Sequence, residues 1–242
     1  MKSLYLHTEL VHNFKAAQEI VPVVMQFVKP LSVLDVGCGT GTWLKIFEGH
    51  GVKDYLGVDG EYIDRTMLKI SLDRFQPQDL SKPFDLKRKF DLVVSLEVAE
   101  HIDEHAANIF VDSLIKHGDT FLFSAAIPGQ GGQHHVNEQW PEYWEKKFNG
   151  HGFYFHDVIR PVIWNNDRID FWYRQNIFLV NSEKSSQKLF PSLSIVHPQL
   201  HQQNLQNEKE YHESLLQGKQ GLRVSFKILL NAIIFKIKNL LK

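Results

Sequence analysis

The sequence is short of several things that would have named a function class. Cysteine occurs once in 242 residues, at Cys38. That excludes an internal disulfide and a zinc–cysteine cluster. Neither sign of charge dominates: 27 Lys and Arg stand against 28 Asp and Glu, for a net charge of −1. Nothing therefore drives the whole chain onto nucleic acid. The apolar and basic segment 223–242 carries too much charge for a membrane span. The N-terminal segment shows no signal-peptide pattern, because Glu9, His12 and Lys15 interrupt any apolar run, so the expected compartment is the cytoplasm. No internal repeat is visible. The 43% of hydrophobic and 23% of charged residues are those of an ordinary globular chain. The length is enough for one large domain with a real core.

What is present centres on residues 33–44. Residues 32–36 form a short apolar run suited to a buried parallel strand, with Asp35 near its carboxyl end. Gly37, Gly39 and Gly41 follow at alternate positions, and a helical pattern continues through Trp43, Leu44 and Phe47. Glycine lets the backbone bend, and its missing Cβ lets a ligand lie against the main chain. The helix start supplies free N–H groups. Dinucleotide-binding loops are spaced G-x-G-x-x-G. Here the spacing is G-x-G-x-G, which disfavours an NAD-binding oxidoreductase. A plain structural turn is the simpler alternative. Cys38, inside the loop, reads as a small packing residue, with a reactive thiol as the alternative.

The full D-x-G-x-G-x-G after an apolar strand resembles motif I of the class I S-adenosylmethionine (SAM) methyltransferases. The resemblance implies that Asp35 and the three glycines wrap the methionine end of SAM. A second strand, 55–59, ends in Asp59, about 20 residues past the loop. In that family an acid at this place, here Asp59 followed by Gly60, accepts the ribose hydroxyls. As an isolated residue, Asp59 is equally a turn former. A third short strand, 74–80, carries Asp79 and Leu80. The family position implies that Asp79 accepts the adenine amino group, with Gln78 and Leu80 beside the ring. The alternative is a solvated turn before Pro83.

The remaining order is alternating. A helical pattern covers 8–28, with Pro22 expected to divide it in two, and His12 and Asn13 in reach of the cofactor mouth. Strands are expected at 90–96, 119–126, 153–158 and 175–180. Helices are expected at 103–117 and 138–148, with a glycine-rich loop at 127–133. The expectation is an α/β, Rossmann-like doubly wound sheet of seven strands. The resemblance implies that its last strand is antiparallel. Residues 1–180 would form the methyltransferase domain, with an insert at 127–150 over the active site. Residues 181–242 would be a polar extension ending in a basic amphipathic helix. That helix, 223–242, suits a membrane interface, a partner helix or plain docking.

A second chemical stretch is 95–102. Glu97, Glu100 and His101 stand at i, i+3 and i+4, and on a helical turn they would share a face. Two carboxylates and an imidazole suit a divalent cation, and without one the acids would repel. E-x-x-E-H here resembles metal-dependent O-methyltransferases of ubiquinone precursors and of small-RNA 2′-hydroxyls. In the RNA group a later His completes the site. His135 is preferred over His134, because the block H-V-N-E-Q-W-P-E-Y-W resembles a large group of bacterial SAM methyltransferases, over about 10–180. Many of those resemble tailoring enzymes for surface polysaccharides.

The expected metal set is Glu97, Glu100, His101 and His135, holding Mg2+ or Mn2+. The alternatives are metal-free acid–base work by His101 or His135 with Glu97 on the SAM ammonium, or a purely structural role. Acceptor candidates are Tyr62, Asp64 and Arg65, then Arg160 and Arg174 among aromatics. The expected activity is SAM-dependent O-methylation of a small molecule or glycan acceptor, such as a surface-polysaccharide precursor. Nucleic acid is not expected, and peripheral membrane contact at the inner face would come from 223–242. RNA ribose methylation and a non-catalytic scaffold are the alternatives.

Overall fold

A computed structural model describes residues 14–184 and 193–240. Val11, His12, Asn13 and the start expected for the first helix lie outside them. Helix α1 is Lys15–Phe27. It is one helix with Pro22 inside it, and the expected division does not occur. Ile20, Val21 and Val24 around the proline are fully buried, and that burial offsets the lost N–H bond.

The strands are β1 (Ser32–Val36), β2 (Asp54–Asp59), β3 (Phe75–Pro77), β4 (Leu92–Leu96), β5 (Thr120–Ser124), β6 (Tyr154–His156) and β7 (Phe178–Asn181). They form one sheet in the order β3-β2-β1-β4-β5-β7-β6. The pairs from β3 to β5 are parallel, and β7 is antiparallel to both β5 and β6. The seven-stranded sheet with its antiparallel last strand is as expected.

The helices are α2 (Thr42–Gly49), α3 (Ala107–Lys116), α4 (Pro141–Asn149), α5 (Arg160–Ile163) and α6 (Phe171–Asn176), then α7 (Pro198–Leu216) and α8 (Leu222–Leu240). Residues 175 and 176, expected in the last strand, belong to α6 instead. Two buried clusters cover the two faces of the sheet. Strand residues alternate between them, Phe121 and Phe123 on one side and Leu122 on the other. The first cluster is aromatic: Phe123 meets Trp144, Phe148 and Phe155 with ring centroids 5.3–5.9 Å apart.

The chain divides after His197 into two compact units, 1–197 and 198–242. The first therefore extends beyond the expected boundary at 180. Arg160 explains this. It is buried, forms two bonds to Asp157, lies over the Phe178 ring, and donates to the carbonyls of Gln175 and Leu193 at 2.9 Å. Glu142 accepts the Leu193 and Ser194 N–H groups, and Gln175 accepts that of His197. Among the described residues no helix is long and apolar enough to cross a membrane.

Candidate active site

Strands β1 and β4 are neighbours, and the chain leaves them in opposite directions along the sheet. The crevice outside their carboxyl ends is where α/β sheets bind ligands. The glycine turn leaves β1 there, and residues 97–101 leave β4.

Gly37, Gly39 and Gly41 have φ of 86°, 53° and 80°, a region that glycine enters at little cost. The turn is bonded to β2: Gly37 N–H donates to Val58 O at 2.8 Å, and Gly39 N–H to Asp59 Oδ2 at 2.8 Å. The other Asp59 oxygen accepts from Gly60 N–H and from the Tyr62 hydroxyl at 2.8 Å. A ribose diol at Asp59 would have to replace Tyr62.

The missing side chains at Gly37 and Gly60 make room for protein. A Cβ would lie 2.3 Å from Val98 at Gly37, and 2.1 Å from the Tyr62 ring at Gly60. At these two positions the space a Cβ would take is filled by Val98 and Tyr62. Cys38 sits against Gly57. Its thiol is pushed well up by burial, then by Asp59 and Asp35, so it packs as expected.

Asp35 does present a ligand-seeking atom. It is 3% exposed, and its Oδ2 is buried with no hydrogen-bond partner. Burial first, then Asp59, raises its pKa to about 8. A cationic or N–H-bearing ligand would relieve that cost, so the residues at this turn fit the amino-acid end of SAM. Asp79 is placed differently: its exposed carboxylate accepts from Ser81 N–H and Oγ and from Lys82. Those groups, Lys82 first, hold its pKa low. Leu80 is buried.

After β4 the expected helical face does not form. Glu97 has φ 54°, which no helical turn allows, and only Ala99–His101 make a 3-10 turn. Glu97 is held by groups from two other segments. It accepts from Gln130 Nε2 at 2.8 Å and from Asn176 Nδ2 at 3.1 Å, while its N–H meets Ser124 Oγ at 3.0 Å. Burial raises its pKa against these bonds.

Glu100, His101 and His135 do come together. Each offers one ligand atom, and these lie within 4.8 Å of one another. Glu100 is fully buried, and neither of its carboxylate oxygens has a hydrogen-bond partner. Burial, then Glu97, pushes its pKa well up. Burial, then His135, pushes His101 down to about 4, so its imidazole is neutral at pH 7.

The loop is tied on by the backbone: Val136 and Asn137 N–H both donate to Glu100 O. His135 Nδ1 meets Glu138 Oε1 at 2.8 Å, and the same carboxylate accepts the N–H groups of Gly129 and Gly131. A proton on Nδ1 leaves Nε2 as the lone-pair nitrogen, 4.0 Å from Glu100 Oε1. His134 is exposed, with φ 56°, and contributes its carbonyl to His101 Nδ1 at 3.3 Å. The donor set of Glu100, His101 and His135 fits a divalent cation.

Sequence reasoning missed Glu138, Gln130 and Asn176 as organisers of this edge. For Glu138 the signal was there, as H-x-x-E at 135–138. Arg160 and Arg174 are bonded within the protein. Arg160 is the buried clamp described above, and Arg174 is buried on Trp164 O and Asp167. Asp64 closes a turn on Thr66, and Arg65 pairs with Glu61.

The family described as "Methyltransferase domain" matches residues 10–158. The chain belongs to that family. A search of curated proteins finds no match. Among solved structures, the sugar N-methyltransferase KedS8 from Streptoalloteichus sp. is similar at TM-score 0.56 and 17% identity, over 76% of this chain and 98% of that one. CalS10, a SAM-bound amino pentose methyltransferase from Micromonospora echinaspora, is similar at TM-score 0.55 and 16% identity, over 76% of this chain and all of that one. The methyltransferase domain of bacterial CtHen1-C is similar at 0.53 and 17%, over 71% of this chain and all of that one. At such identities the likeness concerns the fold, which is that of the class I SAM methyltransferases.

Proposed function

We propose that this methyltransferase is a SAM-dependent, divalent-metal-assisted O-methyltransferase acting on a hydroxyl of a sugar or of a surface-polysaccharide precursor. The observation that carries the metal reading is Glu100. A wholly buried carboxylate with two unpartnered oxygens is costly, and two imidazoles converge on it. Glu100, His101 and His135 would hold the cation, with Glu138 orienting His135. Glu97 stands outside this set, where Gln130 and Asn176 hold it.

SAM supplies an already activated methyl, and Mg2+ or Mn2+ would lower the pKa of the acceptor hydroxyl. The protein's share is then position: much of the rate comes from holding the acceptor oxygen in line with the methyl. The glycine turn and Asp35 fix the donor side of the crevice, and the 99–101 turn with the 127–138 loop fixes the acceptor side. A sugar acceptor is supported by vicinal hydroxyls as cation ligands. KedS8 and CalS10, of the same fold, are described as acting on sugars.

The test has two readings. Mn2+ titrated into the chain and followed by electron paramagnetic resonance should bind, and Glu100→Gln should abolish that binding. Transfer of labelled methyl to a hydroxylated sugar should stop in EDTA and return with Mn2+ or Mg2+. Activity that survives EDTA unchanged removes the metal from the mechanism.

A further inference from the structure

Helix α8 stands apart among the described helices. Twelve of its nineteen residues are apolar, and it contains no Asp or Glu. No acid occurs at all from Ser214 to Lys242, while Lys219, Arg223, Lys227, Lys236, Lys238 and Lys242 do. Its large side chains are exposed, Phe226 at 67% and Phe235 at 70%. An exposed apolar surface of this extent marks an interaction site.

The charges are arranged around that surface. At about 100° per residue, Phe226, Leu229, Leu230, Ile233 and Ile237 form one broad stripe. Lys227 and Lys238 fall on one border of it and Lys236 on the other. Lysines at both borders let the stripe sink into an apolar layer while the ammonium groups reach the interface. The opposite side mixes Asn231 and Asn239 with Ile228 and Phe235, so the helix would lie deep in the interface.

We infer that α8 docks this enzyme on the surface of a bilayer containing anionic phospholipid. Charge decides the occupant. A second copy of α8 would bring cations against cations with no acid to pair them, and like charges at such an interface repel. Anionic headgroups complement the helix on both borders. No helix among the described residues crosses a membrane, so attachment would be peripheral. The inference does not depend on the chemistry proposed for the active site.

The full chain should be sedimented with vesicles of three parts phosphatidylcholine to one part phosphatidylglycerol. It should pellet with them, bind pure phosphatidylcholine far more weakly, and be released by high salt. The triple variant Lys227→Gln, Lys236→Gln, Lys238→Gln should partition on the order of a hundredfold less, at about fivefold per cation. Ile233→Asp should lose binding even at low salt, and if that variant does not fold, the lysine variant carries the test alone. A chain that stays in the supernatant with the mixed vesicles overturns the inference. So does a concentration-dependent dimer by light scattering that these substitutions dissolve without any vesicle binding, which would make a second copy the occupant.

Discussion

The glycine turn after β1 and the acid–histidine cluster after β4 face the same crevice and are built in opposite ways. The turn is local. It closes within seven residues and is bonded to the neighbouring strand, and Asp35 Oδ2 and the Thr40 hydroxyl are its buried side-chain atoms without a hydrogen-bond partner. The cluster is assembled from a distance: a 3-10 turn supplies Glu100 and His101, and a loop more than thirty residues later brings His135 and Glu138. The turn gains its rigidity from backbone conformation. The cluster depends on hydrogen bonds between segments and holds a carboxylate with nothing bonded to it. A change at the turn should therefore be felt by the whole fold, and a change at the cluster by one ligand.

Four substitutions separate the two regions. The largest effect is expected from Gly37→Ala, which sets an L side chain at φ 86° against Val98. It should cost about 2–4 kcal/mol in urea unfolding and abolish SAM binding. A cost below about 0.5 kcal/mol would mean that the turn is not rigid.

Next is Glu138→Gln, which weakens the hold on His135 without touching the turn. Mn2+ affinity should fall about 10–100-fold while SAM affinity, read by calorimetry, stays the same. Equal losses of both would erase the distinction between the regions.

Asp35→Asn differs from these in carrying a pH signature. The folded carboxyl titrates at about 8, above its ordinary 3.8, so folding favours its protonated form. Stability is then lost as pH rises from about 4 to about 8, because the charged form is disfavoured only in the fold. The variant should melt higher than the parent at alkaline pH, by a margin that grows between about pH 4 and about pH 8, and match it in acid. It should also bind SAM more weakly at every pH. A variant that melts lower throughout would show that Asp35 is better satisfied than its geometry indicates.

The smallest effect lies far from the crevice and serves as a control. His117 is buried, with Nδ1 on Ser113 O at 2.6 Å and Nε2 accepting Leu86 N–H at 2.8 Å. Burial holds its pKa below the ordinary value, so the fold favours the neutral ring. Stability present above pH 6.5 should fall as pH drops below that ordinary value. His117→Gln should flatten that slope in urea unfolding followed across pH. It should leave both ligand affinities unchanged.

Much of this was legible in the residues themselves. The apolar run 32–36, the three alternate glycines and Asp59 specify a strand, a turn and a second strand end through local backbone preference. The alternation of apolar runs with helical periods argued for a doubly wound sheet, and its strand order came from the structure. The pairing of Glu100 and His101 with His135 rather than His134 was also readable, from the block that contains it. Glu97 was not. Its spacing from Glu100 matched a helical turn, and only the backbone at φ 54° sends it to Gln130 and Asn176 instead. Arg160 and Arg174 looked like acceptor grips because spacing shows charge but not direction.

By itself the sequence determined what depends on near neighbours: the turn, the strands that flank it, and the acid-free basic helix expected at 223–242. Tertiary structure alone decided which charges are buried, which side chains occupy the space that glycines leave, and which three of four candidate ligands converge. Those outcomes depend on desolvation and on contacts between segments far apart in the chain. Periodicity, which records only the direction of a side chain relative to its own element, carries no information about either.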